Sequence, residues 1–151
     1  MSEHQPVEVT SHVARDFLQN AAYFNTMPKL IWEYVANSLD AAQDGIPAVV
    51  AVKITSHEVR VSDNGCGMSR EELNNFFQMH GESIHRKRGK RVRGRFGTGK
   101  CAAFGLANSF CIDTTQAGLR NVVELHRQDI EQAISGAPFP VRDVVVNEPT
   151  R

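Results

Sequence analysis

The segment from Lys29 to Gln43 constrains the fold of this chain more than any other, because its side chains divide into two stripes at helical spacing. The apolar stripe consists of Ile31, Val35, Leu39 and Ala42, with Trp32 beside it. The polar stripe, on roughly the opposite side, consists of Glu33, Asn37 and Asp40. We therefore predict an amphipathic helix whose apolar stripe packs on a sheet and whose polar stripe points elsewhere. Pro28 suits the first turn of this helix, and Gly45 followed by Pro47 predicts its end.

Length and composition fit a single domain with its own hydrophobic core. The chain has 151 residues, of which 41% are apolar. No apolar run approaches the length of a membrane span, and the polar start from Met1 to His4 lacks the pattern of a signal peptide. We therefore predict a protein without membrane contact, located in the cytoplasm or, in a eukaryote, the nucleus. The three cysteines form no C-x-x-C pair, which favours reduced thiols over a disulfide framework or a zinc site.

Positive charge is concentrated in one stretch of an otherwise neutral chain. The formal net charge is zero, yet no acidic residue occurs between Glu82 and Asp113. That interval contains eight of the 17 lysine and arginine residues: Arg86, Lys87, Arg88, Lys90, Arg91, Arg93, Arg95 and Lys100. Such a stretch predicts either a solvated loop or contact with an anion, and the sequence leaves both open.

Periodicity and turn residues predict the remaining elements. In chain order they are a helix over Ser11–Phe24, the helix described above, strands over Ala48–Ile54 and Glu58–Ser62, a helix from the capping box of Ser69 and Glu72 to Gly81, a loop over Ser83–Arg95, a short helix over Lys100–Asn108, strands over Phe110–Thr114 and Asn121–His126, a short helix over Gln128–Ile134 and a last strand over Val141–Val146. This order predicts an α+β fold, a two-layer α/β sandwich with helices on one face of a mixed, mostly antiparallel sheet.

The sequence from Asp63 to Met68 places a carboxylate and two glycines directly after a predicted strand. A carboxylate fixed at a strand end can accept a hydrogen bond from an exocyclic amine of a flat ring. Gly65 and Gly67 would let the backbone approach such a ring without an intervening Cβ, and Met68 offers a soft, adaptable surface. The same residues also suit an ordinary turn at a strand end, so the motif by itself leaves both interpretations open.

The glycine-rich segment before the next predicted helix has the composition of an anion site. It consists of Gly94, Arg95, Phe96, Gly97, Thr98 and Gly99, followed by Lys100. Free N–H groups at a helix start attract anions, and the glycines allow close approach. The segment also fits the P-loop pattern, but Cys101 stands where the magnesium-binding Ser or Thr belongs, and no apolar strand precedes it. A dinucleotide-binding pattern fails because Ala102 replaces its third glycine.

The polar stripe of the Lys29–Gln43 helix supplies the remaining groups of a hydrolysis site. Glu33 can orient or deprotonate a water, and Asn37 can offer its amide oxygen to Mg²⁺, which proteins usually hold through few side chains plus phosphate oxygens. A triphosphate on a glycine-rich loop, with a metal and a carboxylate nearby, makes a site for hydrolysis. A solvated helix face is the simpler interpretation of the same stripe.

Three motifs, taken in this order and spacing, resemble the GHKL superfamily. They are Glu33-x-x-x-Asn37-Ser38-x-Asp40-Ala41, Asp63-x-Gly65-x-Gly67-Met68 and Gly94-x-x-Gly97-x-Gly99. The superfamily includes gyrase-type topoisomerases, heat-shock chaperones, sensor histidine kinases and MutL-type repair proteins. The resemblance covers about Pro28 to Phe110. It implies the Bergerat ATP-binding fold, with ATP and Mg²⁺ as cofactors.

The resemblance also implies roles for individual residues. Asp63 would bind the adenine amine, and Asn37 would bind Mg²⁺. Asp40, Ala41, Gly67 and Met68 would line the adenine side, and the segment from Arg86 to Gly99 would form the lid and phosphate loop. Glu33 and the Asp-Ala pair resemble the ATP-hydrolysing branches more than the sensor kinases, and the lid resembles the MORC and chaperone branches.

The resemblance predicts one ATP-binding domain over residues 1–151, as an N-terminal module that lacks the last strand and the second domain of the family's hydrolases. In the family a late strand with a threonine closes the pocket, and Thr150 and Arg151 stand about where that strand would begin. Such a module would act in a nucleotide-dependent homodimer. Two alternatives remain open: a nucleotide-gated module that hardly hydrolyses ATP and contacts nucleic acid through its basic loop, and a catalytic domain of the histidine-kinase type.

Overall fold

The computed structural model of this chain describes residues 18, 21–76, 99–133 and 140–150. Its elements in chain order are α1 (Met27–Asp40), β1 (Val50–Ile54), β2 (Val59–Asp63), α2 (Arg70–Phe76), a 3-10 helix (Gly99–Gly105), β3 (Ser109–Gln116), β4 (Leu119–His126), α3 (Arg127–Glu131) and β5 (Arg142–Pro149). The predicted α+β class is confirmed. Within these residues no helix has both the length and the apolar character needed to cross a membrane.

The strands form two antiparallel sheets. β1 pairs with β2, and β3, β4 and β5 pair in that order. Both predicted hairpins are confirmed. Thr55 begins the first turn, where its side-chain oxygen accepts a hydrogen bond from the amide of Glu58 at 3.0 Å. Ala117 and Gly118 form the second turn with φ values of 53° and 76°. Every pairing among the described strands is antiparallel. The described strands therefore include none of the parallel pairs that a mixed sheet requires.

Two of the predicted segments fall largely outside the described residues. They are the helix over Ser11–Phe24 and the loop over Ser83–Arg95, and the predicted end of the third helix at Gly81 also lies outside. The capping residue of that third helix is confirmed, because the Ser69 hydroxyl accepts a hydrogen bond from the amide of Glu72 at 3.1 Å.

The hydrophobic core lies where α2, the 3-10 helix, β4 and α3 meet. Its buried side chains are Ala21, Leu73, Phe104, Val123, Leu125 and Ile130. Burying a large apolar side chain contributes about 1.5–3 kcal/mol. Phe104 also meets Phe110 of β3 edge to face, with ring centroids 6.4 Å apart. The 3-10 helix is therefore a fixed part of the core, although it is short.

The polar stripe of α1 is buried more deeply than its apolar stripe, which corrects the expectation from helical periodicity. The buried side chains of α1 are Leu30, Glu33, Ala36, Ser38 and Asp40. Ile31, Val35 and Leu39 are only half-buried, and Trp32 is 54% exposed. The reason is that α1 lies against both β2 and the 3-10 helix. The Ser38 hydroxyl donates a hydrogen bond to Asp63 of β2, and the Tyr34 hydroxyl accepts one from the amide of Ala103 in the 3-10 helix.

Asn121 holds an irregular stretch between β4 and β5. The strand register shifts on either side of Val122, and Asn147 adopts a left-handed backbone conformation with φ of 46°. The fully buried Asn121 side chain accepts a hydrogen bond from the amide of Asn147 at 3.0 Å. It also donates one to the Asn147 side-chain oxygen at 3.2 Å. This pair fixes the bulge in β5.

We expect Asn121→Ala to lower the free energy of unfolding by about 1–3 kcal/mol, because it removes both hydrogen bonds to Asn147 and leaves a cavity in place of the fully buried Asn121 side chain. Asn147→Asp is the matched control. It keeps an acceptor oxygen and tolerates a positive φ, so its change should stay within about 0.5 kcal/mol. Urea unfolding followed by circular dichroism measures both variants. Equal stability of Asn121→Ala and the parent chain would show that this pair does not hold the strand.

Candidate functional site

The carboxylate of Asp63 stands at the end of β2 and is oriented from two sides. Oδ2 accepts a hydrogen bond from the Ser38 hydroxyl at 2.7 Å, and Oδ1 accepts one from the amide of Gly65 at 2.9 Å. Ser38 is buried on α1, whereas Asp63 is exposed. A carboxylate offers about four lone-pair positions, so Asp63 can still accept hydrogen bonds from a bound molecule.

The loop after β2 is tied to the end of α1 and to the start of β1. The amide of Cys66 donates to the carbonyl oxygen of Ala41 at 2.8 Å, just beyond the last residue of α1. The side chain of Asn64 accepts from the amide of Val49 at 2.9 Å and donates to the carbonyl of Pro47 at 3.0 Å. These bonds hold Asp63 and the glycines that follow it beside Ala41 at the end of α1. That they form one binding surface with Asp40 stays a prediction.

The two glycines of this loop sit where the backbone itself leaves no room for a side chain. A Cβ at Gly65 would come within 2.6 Å of the Ala41 carbonyl oxygen. At Gly67, where φ is +66°, a Cβ would overlap the carbonyl group of Thr115 on β3. From the sequence, these glycines are expected to let a flat ring approach the backbone. In the structure, the absence of a side chain at these glycines first allows the backbone of Ala41 and Thr115 to pack closely against the loop.

Three side chains hold the far side of the loop against β3 and α2. The Thr114 hydroxyl accepts a hydrogen bond from the amide of Met68 at 2.9 Å. The Gln116 amide donates to the carbonyl of Gly67 and to the Glu72 carboxylate, both at 3.2 Å. The loop therefore joins the two sheets, and it is fixed on both sides.

Ser38, Thr114 and Gln116 are not among the site residues predicted from the sequence. Ser38 could have been found, because it lies between Asn37 and Asp40 in the first motif. Thr114 and Gln116 lie 46 and 49 residues from their partners in the loop. No local pattern connects residues at that separation.

Glu33 and Asn37 lie one helical turn apart on α1. The Glu33 and Asp40 side chains are buried, and Asn37 is half-buried. Among the described residues, no group of three or more His, Cys, Asp and Glu side chains could hold a metal ion. Asn37 as a metal ligand therefore stays a prediction.

The predicted anion site is described only at its end. Gly94, Arg95, Phe96, Gly97 and Thr98 lie outside the described residues, whereas Gly99 and Lys100 begin the 3-10 helix. That helix meets α1 at Tyr34, whose hydroxyl accepts a hydrogen bond from the amide of Ala103 at 2.7 Å. In the described part of the chain, α1 thus contacts both the loop after β2 and the 3-10 helix.

Sequence comparison places this arrangement among known proteins. Residues 25–141 match the family described as Histidine kinase-, DNA gyrase B-, and HSP90-like ATPase. The matched range contains α1, the loop after β2, the glycine-rich segment and the 3-10 helix. The match therefore includes every predicted site residue.

Individual relatives share about a third of the aligned residues. The putative type II restriction enzyme HgiDII of Herpetosiphon aurantiacus is 32% identical over 123 residues, which are 78% of this chain and 19% of that protein. The chaperone protein HtpG of Rhodopseudomonas palustris (strain HaA2) is 30% identical over 125 residues, covering 76% of this chain and 20% of the chaperone. HtpG of Anaplasma phagocytophilum (strain HZ) is 29% identical over 118 residues, 69% of this chain and 18% of that protein. The chain thus spans about a fifth of the length of these relatives.

We expect Gly67→Ala to destabilise the protein by about 2–5 kcal/mol, because the left-handed backbone costs about 1–2 kcal/mol and the overlap with β3 adds about 1–3 kcal/mol. Gly45→Ala is the matched control. Gly45 has φ of +75° but nothing within 4 Å of an added Cβ, so it carries the backbone cost alone. Urea unfolding gives both values. If the two variants lose equal stability, the loop does not pack closely against Thr115.

Proposed function

This chain belongs to the histidine kinase-, DNA gyrase B- and HSP90-like ATPases, and on that premise we propose that it binds ATP with Mg²⁺ beside α1 and hydrolyses it. The observation that carries the proposal is the Asp63 carboxylate, which Ser38 and Gly65 orient at the end of β2. A negatively charged acceptor held in this way suits the amino group of adenine. Membership of this ATPase family is the second observation that supports ATP binding.

The base of the nucleotide would lie against the loop after β2. Asp63 would accept a hydrogen bond from the adenine amine with the lone pairs that Ser38 and Gly65 leave free. Asp40, Ala41, Gly67 and Met68 would line the same side. This proposed lining is supported by the hydrogen bonds from Cys66 to Ala41 and from Met68 to Thr114, which already hold this surface in one arrangement. Little ordering entropy would remain to oppose binding.

Asn37 would contact the metal that accompanies the triphosphate. The residues present fit a magnesium ion held mainly by phosphate, because Asn37 offers an amide oxygen on the half-buried part of α1 and Glu33 lies one turn away. The ion would neutralise charge on the phosphate oxygens. The segment from Gly94 to Gly99, with Arg95, Phe96, Thr98 and Lys100, is proposed from sequence alone to contact the phosphates.

Glu33 would act as the general base. Its buried carboxylate would take a proton from a water while the oxygen of that water attacks the γ-phosphorus and the bond to ADP breaks. Support comes from the burial of Glu33 on the helix that carries Asn37. A base in a site closed to bulk water acts on a water that it also orients.

The activity would serve a larger assembly. Relatives of this chain include proteins named as a chaperone and as a restriction enzyme, each about five times as long as the aligned segment. We propose that ATP binding closes a homodimer in which this domain acts as the nucleotide-dependent part.

Nucleic-acid contact through the basic segment is the second candidate. It is favoured by the eight cationic residues between Glu82 and Asp113 and by likeness to a protein named as a restriction enzyme. An affinity for DNA that falls steeply with salt would support it, because phosphate contacts release counterions.

We expect Asp63→Asn to weaken ATP binding about tenfold to a hundredfold, because a charge-assisted hydrogen bond contributes about 1.5–3 kcal/mol. Asp113→Asn is the matched control, since Asp113 is an exposed carboxylate that pairs with Arg120 on the neighbouring strand. Isothermal titration calorimetry measures the dissociation constants of both folded variants. Equal affinity of Asp63→Asn and Asp113→Asn would remove Asp63 from the site.

We expect Glu33→Gln to slow ATP hydrolysis by about 10²–10⁴-fold, because the amide keeps the shape of the buried side chain but cannot take the proton. The dissociation constant for ATP should stay within about twofold of the parent value. Single-turnover reactions with the protein in excess measure the chemical step directly. Hydrolysis at the parental rate would show that Glu33 is not the base.

A further inference from the structure

Tyr34 links α1 to the 3-10 helix at the turn that carries Glu33. Its hydroxyl accepts a hydrogen bond from the amide of Ala103, at 2.7 Å and across 69 residues of sequence. Its ring packs against Phe110 of β3, with ring centroids 5.3 Å apart. Tyr34 therefore touches two other elements, one through the ring and one through the oxygen.

The 3-10 helix gives the Tyr34 hydroxyl a fixed point to bind. The Phe104 side chain is 1% exposed, and its carbonyl accepts a hydrogen bond from the Arg127 guanidinium. At Gly105 an added Cβ would overlap the backbone of Phe24, so that end of the helix is closely packed as well. A bond to Ala103 consequently ties α1 to the core and not to a mobile segment.

Two further hydrogen bonds attach α1 near its C-terminal end. Ser38 binds the Asp63 carboxylate, and the carbonyl of Ala41 accepts from the amide of Cys66. Both serve the surface that would hold adenine. A rotation of α1 by about 10° would move the end of a side chain about 6 Å from the helix axis by about 1 Å. A displacement of this size can cost about 10²-fold in rate when it affects a reacting group.

We propose that Tyr34 is a positioning residue, whose hydroxyl holds the α1 turn of Glu33 against the core so that Glu33 meets the attacking water. The inference rests on the ATP hydrolysis proposed above. Tyr34 would touch neither the nucleotide nor the attacking water. It acts through the backbone of α1, so it governs the rate of hydrolysis and not the affinity for ATP.

The test compares three variants of the full chain. Tyr34→Phe removes the hydroxyl and keeps the ring on Phe110. Tyr23→Phe removes a hydroxyl from the chain's other tyrosine, which is 49% exposed and meets Phe24 edge to face. Asn121→Ala is the stability control, because it weakens the β4–β5 bulge and leaves α1 untouched. For each variant, calorimetry gives the dissociation constant for ATP with Mg²⁺, and single-turnover reactions give the hydrolysis rate.

We expect Tyr34→Phe to hydrolyse ATP about tenfold more slowly, with a dissociation constant within about twofold of the parent value. Tyr23→Phe and Asn121→Ala should keep the parental rate well below their melting temperatures. A parental rate in Tyr34→Phe overturns the inference. So does an equal loss of rate in Asn121→Ala, because stability alone would then explain the effect. So does a loss of affinity as large as the loss of rate.

The experiment distinguishes a failure of the proposed function from a failure of the positioning role of Tyr34. If the parent chain binds no ATP, or binds it without hydrolysis in a single turnover, the proposed function is wrong and the role of Tyr34 is withdrawn with it. That result appears in the parent chain, before any variant is compared. Hydrolysis by the parent together with an unchanged Tyr34→Phe rate rejects the positioning role alone.

Discussion

The hydrogen bond from the buried Ser38 hydroxyl to the Asp63 carboxylate is the interaction on which the site depends. It joins the helix that carries Glu33 and Asn37 to the strand end that carries Asp63. Without a donor on α1, an exposed carboxylate at the end of a two-stranded sheet would be free to rotate. With the donor, and with the amide of Gly65 on the other oxygen, its direction is set before any ligand arrives.

The loop after β2 extends this order to the rest of the domain. It is bonded to Ala41 on one side and to Thr114 and Gln116 on the other, and its glycines are packed too closely to accept a Cβ. A two-stranded sheet by itself is only marginally stable in water. Its connection to the three-stranded sheet through this loop means that the site and the stability of the hairpin share the same contacts.

The charges of the domain are used in two different ways. Arg120 with Asp113 and Arg142 with Asp129 form exposed, bidentate pairs, and each arginine lowers the pKa of its aspartate through its hydrogen bonds. Pairs of this kind contribute little to stability, about 0–1 kcal/mol each. The carboxylate of Glu33 is instead buried on α1. Its burial on the helix that also carries Asn37 is the observation that supports the proposed role of Glu33 as the base.

The sequence by itself determined the local structure, and it supplied the residues that are proposed for the site. The turns at Thr55 and at Ala117–Gly118, the cap at Ser69 and the helix of Glu33, Asn37 and Asp40 each depend on residues close together in the chain, and each was predicted from them. The motif around Asp63 was recognised for the same reason. Only the tertiary structure decided which side of α1 is buried, that Ser38, Thr114 and Gln116 position the loop, and that Tyr34 binds Ala103. Helical periodicity gives the angle between side chains but not the identity of the neighbouring element, because that depends on contacts between residues 25 to 69 positions apart.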